Sequence, residues 1–448
     1  MVLPIIFFIV GYTLIALEGP LKVNKSATAL LLAVIIWVFY VIAGEAVFTY
    51  TDFTESFANY KANHPHGNFY SFVTFHEILH NLGDIAQILF FLMGAMAIVE
   101  TVDHHNGFSF ITDKIKTNNK RKLLWILSIT TFFLSAVLDN LTTTIVMCAI
   151  IRKLIPKGKE RWFFVGMIIL AANDGGAWSP IGDVTTIMLW MGGQVTAGKL
   201  ILKTLLPSII SLIVPLAIVS FSMKGNFEHS ENHTTGAPYD IPKKIKNFVF
   251  ILGVGGLLFV PIFKSITHLP PVFGMLFSLA VVWLVTEFLN RKYPGRESFS
   301  CAKILSKIDT PSILFFLGIL LSVAGLQSMG YLNMFANELT HTFHGNIYII
   351  NITIGILSAI IDNVPLIAGA MGMFPHSVYP VDHSFWLFLT YCGGTGGNLL
   401  IIGSAAGIAA MGMEKIDFLW YLKKITIWAL IGFFAGAGTF ILFDIFVF

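Results

Sequence analysis

Two short words in this sequence repeat one another: Ser135-Ala136-Val137-Leu138-Asp139-Asn140 and Ser358-Ala359-Ile360-Ile361-Asp362-Asn363. Each sets an Asp-Asn pair at the end of an apolar run. A carboxylate in hydrocarbon is costly, so an acid in that position points to function. Asp139-Asn140 is followed by Thr142-Thr143-Thr144, which gathers a carboxylate, an amide carbonyl and hydroxyls within one helical turn. Asp362-Asn363 runs into Val364-Pro365 and lacks those hydroxyls. Clustered oxygens of this kind suit a hard monovalent cation, and a carboxylate can also carry a proton. The same side chains can cap the helix that follows, and the two roles are compatible.

A second pair of segments extends the pattern. Ala171-Ala172-Asn173-Asp174-Gly175-Gly176-Ala177-Trp178-Ser179-Pro180-Ile181-Gly182-Asp183 interrupts one apolar run, and Gly393-Gly394-Thr395-Gly396-Gly397-Asn398-Leu399-Leu400-Ile401-Ile402-Gly403-Ser404 interrupts another. Glycines let backbone turn and approach closely, and carbonyls freed at a helix break can face an ion. At an offset of 221, Asp174 falls on Thr395 and Asp183 on Ser404. The Asp-Asn pairs match at 223, and Phe90-Phe91-Leu92 matches Phe315-Phe316-Leu317 at 225. A slowly drifting offset is what small loop deletions leave behind in an internal duplication. The candidate ligands for ion binding and proton exchange are Asp139, Asn140, Thr143, Asn173, Asp174, Asp183, Asp362, Asn363, Thr395, Asn398 and Ser404. A sodium ion would be held at Asp139, Asn140, Asp174, Asp362 and Asn363. Acids in the first copy stand where the second has hydroxyls, which favours proton exchange in the first.

The elements that must position these residues lie in a bilayer. Of 448 residues, 56% are hydrophobic and only 12% charged, half the charge of an ordinary soluble domain. The composition therefore reads as an all-α polytopic membrane protein. Spans of adequate length fall at about 2–17, 26–43, 82–100, 207–223, 247–263, 271–289, 311–330 and 425–447, with two discontinuous helices at 161–192 and 383–413. Residues 1–17 read as a retained helix. The Asp-Asn pairs split 123–155 and 346–374 into halves of about 12–16 residues, too short to cross at about 1.5 Å per residue. These two segments are expected to be re-entrant hairpins, the competing form being one kinked helix each. Two repeats of five crossings follow, 1–223 and 247–448, joined by a linker at 224–246. An odd number of crossings makes the repeats inverted, an arrangement characteristic of secondary transporters.

Loop charges set the expected orientation. Lys22, Lys25, Lys114 to Lys122, Arg152 to Arg161, Lys243, Lys244, Lys246 and Arg291 to Lys307 face the cytoplasm, the 45–80 loop faces outward, and both termini are outside. The net charge of +3 reads as membrane orientation, not as nucleic-acid binding. Cys148, Cys301 and Cys392 have no CxxC spacing and imply neither a disulfide framework nor a zinc site. His76, His80, Glu100 and His104, at the ends of the third span, are candidates for pH regulation.

Ala16-Leu17-Glu18, Gln87 through Met96, Glu100 with Asp103-His104, Asp139-Asn140-Leu141-Thr142-Thr143 and Ala171 through Gly176 resemble the NhaD-type sodium/proton antiporters of the ion transporter superfamily. The resemblance covers nearly the whole chain. It implies a scaffold domain, a mobile transport domain with two hairpins, a homodimer and an elevator-type movement in a bacterial-type inner membrane. Anion-transporting relatives carry Ser-Asn-Thr where this chain has Asp139-Asn140-Leu141, and a carboxylate there repels anions and attracts Na⁺ or Li⁺. The expected activity is exchange of cytoplasmic Na⁺ (or Li⁺) for external H⁺, with no resident cofactor and no enzymatic reaction. The alternative on the same fold is a Na⁺-coupled symporter of a dicarboxylate or oxyanion. An intramembrane hydrolase with paired aspartates has no use for an inverted repeat.

Overall fold

The computed structural model describes residues 3–16, 24–47, 51–109, 117–227, 242–291, 301–306, 308–360 and 363–446. Asp362, Glu18, Lys22, Lys114 and most of the 224–246 linker lie outside the described residues. The helices are α1 (Leu3–Ala16), α2 (Lys25–Val47), α3 (Thr51–Asn63), α4 (Phe69–His104), α5 (Lys120–Leu138), α6 (Asn140–Leu154), α7 (Lys159–Gly176), α8 (Val184–Met191), α9 (Ala197–Ser222) and α10 (Lys243–Thr267). They continue as α11 (Pro271–Arg291), α12 (Cys301–Leu305), α13 (Thr310–Ser328), α14 (Tyr331–Thr342), α15 (Ile347–Leu357), α16 (Asn363–Met373), α17 (Ser384–Gly396), α18 (Ala405–Glu414), α19 (Phe418–Lys424) and α20 (Thr426–Phe446). Among the described residues the only pairing of β type is an isolated bridge between Asn119 and Asn226. Among the described residues, eight helices are long and apolar enough to cross a bilayer: α2, α4, α5, α9, α10, α11, α13 and α20. The chain is an integral membrane protein.

Two expectations need correction. The 45–80 loop is largely helical, because α3 and the start of α4 occupy it, with a π turn at Val73–Glu77. The first arm of the 123–155 segment has 19 residues, enough to cross. Asn119 caps it through the Lys122 amide at 3.0 Å, so the basic stretch Lys120-Arg121-Lys122 joins the helix as its polar end. The described part of the first span has 14 residues, about 21 Å of helix.

The chain forms two units by packing, each assembled from separate stretches: Met1–Leu92, Asp309–Ile350 and Val364–Tyr379 in one, and Met93–Ile308, Asn351–Asn363 and Pro380–Phe448 in the other. In the first, α2 and α13 meet at small residues. A Cβ on Gly318 would come within 2.5–2.8 Å of the Ala29–Leu30 backbone, and one on Gly325 within 2.7 Å of Ile36. The Trp37 indole donates to the Leu321 carbonyl at 2.9 Å, and Ile36, Tyr40, Phe69, Phe72 and Met329 fill the core.

In the second unit, α7 is buried from Phe164 to Gly176 and α17 from Phe385 to Gly396. These two helices carry the interrupted segments; α5, α6, α9 and α18 pack against α7, and α8, α9 and α20 against α17. Pro215 in α9 has no N–H and leaves the Ser211 carbonyl without its helical donor. Gly432 of α20 packs directly on that carbonyl.

Candidate ion-binding site

Asp139 separates α5 from α6. Its φ of 76° and ψ of 161° lie where only glycine rests without strain. Neither arm can continue through it as helix, so the kinked single helix does not form. The strained residue is held by its own side chain. Oδ1 accepts from the Thr142 amide at 2.8 Å and Oδ2 from the Thr142 hydroxyl at 2.9 Å. The interrupted segments behave alike. Asp183 begins α8 by accepting from the Thr185 amide and hydroxyl at 2.8 and 2.9 Å. Ser404 begins α18 by accepting from the Gly407 amide at 3.2 Å.

These helix starts converge on one buried hydrogen-bond network. The Asn140 amide donates to Asn173 Oδ1 at 2.9 Å and to the Asp183 carboxylate. Asn173 in turn donates to Asn398 Oδ1 and to Ser404 Oγ, both at 2.9 Å. Asn398 donates to Asp174 Oδ1 at 2.9 Å, and its carbonyl accepts from the Tyr421 hydroxyl at 2.9 Å. The six side chains are all buried and supply three amides, two carboxylates and one hydroxyl. Asp174 Oδ2 has no hydrogen bond among the described residues, and Ser211 lies within reach of the carboxyl group. Asp139 lies within electrostatic reach of Asp183.

Among the described residues, Thr143, Asn363 and Thr395 do not join this network. Thr143 is fully buried, and its hydroxyl has no hydrogen bond among the described residues. The same holds for the Thr144 hydroxyl and for the Asn363 amide nitrogen. Thr395 spends its hydroxyl proton on the Tyr391 carbonyl at 2.7 Å within its own helix. Asp362 lies outside the described residues. Ser211 beside Asp174, and Tyr421 on the Asn398 backbone, were not expected. A serine in an apolar span reads as bonded to its own helix, and nothing local separates Ser211 from that class.

The two halves of the chain repeat these contacts. Ser135 Oγ donates to the Ala172 carbonyl at 2.6 Å, and Ser358 Oγ to the Gly393 carbonyl at 3.1 Å. Gly175 packs on the Phe132 carbonyl and Gly396 on the Gly355 carbonyl. Asn173 bonds to Asn398, while a Cβ on Gly394 would sit 3.0 Å from the Ala177 Cβ. At the 221 offset these are the same two positions, exchanged between the halves.

Cys148 and Cys392 are buried, unpaired thiols. The histidine candidates fall in both units. His76 stacks on Phe72 at 5.6 Å, and exposed His80 lies 3.6 Å from Asp84. His80 also lines a polar cavity of about 250 Å³ with Glu77, which accepts from Ser328 Oγ at 2.6 Å. Glu100 and His104 are half-buried at the end of α4.

The profile of a family described as citrate transporter matches residues 12–394. Sodium/proton antiporter 1 of Arabidopsis thaliana is 42% identical over 436 residues, covering 97% of this chain and 71% of its own length. Sodium/proton antiporter 2 of the same plant is 42% identical over 444 residues, covering 97% and 98%. The Na⁺/H⁺ antiporter NhaD of Alkalimonas amylolytica is 30% identical over 452 residues, covering 94% and 86%.

Proposed function

This chain belongs to the citrate transporter family, within the ion transporter superfamily, and from that premise we propose that it is a sodium/proton antiporter, exchanging cytoplasmic Na⁺ (or Li⁺) for external protons. It is a transporter and not an enzyme. The observation that carries the reading is the buried network of Asp, Asn and Ser side chains through Asn173. Carboxylates set among amide and hydroxyl oxygens can hold a small bare cation or a proton. One group cannot hold both, so loading one ion expels the other. Exchange follows if the site opens alternately to the two sides. Asp139 and Asp174 are the first titrating ligands and Asp183 and Asp362 the second. Asn140, Thr143, Asn173, Asn363, Thr395, Asn398 and Ser404 supply neutral oxygens.

The doubled contacts of Ser135 and Ser358, and of Gly175 and Gly396, support two repeats, 1–223 and 247–448, around a cytoplasmic linker at 224–246. We take the repeats as inverted, and the movement as elevator-like in a homodimer of the inner membrane with both termini outside. His76, His80, Glu100 and His104 remain the proposed pH-responsive positions.

The second reading, a Na⁺-coupled symporter of a dicarboxylate or oxyanion, draws only on the family description, which names citrate, a tricarboxylate. An anion, however, would meet the carboxylates of Asp139 and Asp183 at the helix starts. Proteoliposomes separate the two readings. Added Na⁺ should dissipate an imposed pH gradient with the wild type, and Asp139→Asn should lower that rate at least tenfold. Uptake of labelled succinate driven by Na⁺ without a pH gradient would sink the antiporter.

A further inference from the structure

We propose that a basic cavity beside the first turn of α7 binds the headgroup of an anionic phospholipid. The cavity measures about 340 Å³ and is lined by Lys120, Lys159, Lys224 and Lys424 against one carboxylate, Glu160. Glu160 is already engaged, 2.6 Å from the Lys120 ammonium. Lys159, Lys224 and Lys424 are exposed and form no ion pair among the described residues. The cavity thus presents three uncompensated cations.

Its place in the fold selects a lipid. Lys120 is the first residue of α5, Lys224 follows the end of α9, and Lys424 precedes α20. All three helices are long and apolar enough to cross the bilayer, so the cavity lies where spans leave the hydrocarbon. Its remaining walls are Phe163, Phe164, Ser222, Met223 and Trp420. Such a mixture offers apolar surface to the root of an acyl chain and an aromatic ring at headgroup level. Basic pockets between membrane helices suit anionic headgroups.

A second feature points the same way. No side chain caps the N-terminus of α7, an 18-residue helix beginning at Lys159. Its first amides and the positive end of its dipole favour a phosphate. The walls are also braced. Segment 225–227 is pinned to the start of α5 by Lys120 N donating to the Gly225 carbonyl at 3.2 Å and Phe227 N to the Asn118 carbonyl at 2.9 Å. The Lys120 ammonium rests over the Phe227 ring at 4.9 Å.

The test uses the purified full-length protein with phosphatidylglycerol, phosphatidylcholine or inorganic phosphate. Retained lipid is read by native mass spectrometry, alongside the melting temperature. The wild type is expected to retain phosphatidylglycerol and to melt higher with it, with neither effect from the other two. The triple variant K159Q/K224Q/K424Q should retain it roughly 100-fold more weakly, since each lysine near an anionic surface contributes about fivefold. The matching arginine variant, K159R/K224R/K424R, should keep it, which separates loss of charge from loss of fold. Equal retention by wild type and glutamine variant overturns the proposal, as does loss in both variants. Stabilisation by inorganic phosphate alone, removed by the glutamine changes, would make the cavity a free-anion site and overturn the lipid.

Discussion

Asn173 uses its whole amide: Oδ1 accepts from Asn140, and Nδ2 donates to both Asn398 and Ser404. A buried polar atom left without a partner costs about 1–3 kcal/mol, so truncating this residue strands groups on three other segments. Asn173→Ala should lower the melting temperature by several degrees and reduce Na⁺-driven proton exchange at least tenfold. Because Asn173 and Asn398 share a bond, the double variant Asn173→Ala/Asn398→Ala should lose less stability than the two single losses added together. A coupling of about 0.5 kcal/mol or more is expected for such neighbours. Strict additivity in thermal melts would show that the amides act separately. Asp139, Asn140, Asp174 and Asp183 were legible in the sequence, since a carboxylate or amide in an apolar run has few bland explanations. The bond between Asn173 and Asn398 was not, because no local pattern relates positions 225 apart in the chain. Ser211 was hidden for a different reason, its hydroxyl resembling those that close onto their own helix.

At the scale of elements, the sequence marks where helices stop more clearly than where they start. Asp139 and the Gly-rich segments after Gly176 and Gly396 interrupt apolar runs, and the breaks fall there. Charged or mixed stretches carry no such mark, so α3, α14 and the first turn of α5 were read as loop or left unassigned. Their helicity comes from packing and capping, as with Asn119 on α5 and Tyr331 buried on α14. The glycines at the breaks also fix how closely helices approach. A methyl on Gly175 would overlap the Phe132 carbonyl, and one on Gly396 the Gly355 carbonyl. Backbone cannot yield as a flexible side chain can. Gly175→Ala and Gly396→Ala should each destabilise the protein by about 1–3 kcal/mol through overpacking. Gly412, in α18, has open space around its missing Cβ, and Gly412→Ala should be neutral or stabilising by up to about 1 kcal/mol through helix propensity. Thermal melts of the three variants check this, and equal effects at all three sites would refute the packing argument.

For the whole molecule, both packing units draw on the two halves of the chain, and so does the candidate site. Asn140, Asn173, Asp174 and Asp183 come from the first half and Asn398 and Ser404 from the second. If it exchanges protons, a site assembled in this way should respond to protonation as one object, since Asp174 and Asp183 are linked through Asn398, Asn173 and Asn140. If Na⁺ and protons compete for those carboxylates, each must weaken the other's binding by the same factor. Sodium affinity should therefore fall with falling pH, by about tenfold per unit for each proton displaced, once the pH lies below the titration of the site. At higher pH the carboxylates are already ionised and the affinity should level off. Calorimetric titration of the purified protein with Na⁺ across a pH series measures this without a membrane gradient. Asp174→Asn removes one competing carboxylate and should flatten the pH dependence as well as weaken binding. A sodium affinity that stays constant across the series in the wild type would rule out shared carboxylates. Proton and sodium would then need separate sites, and the network through Asn173 would hold at most one of the two ions.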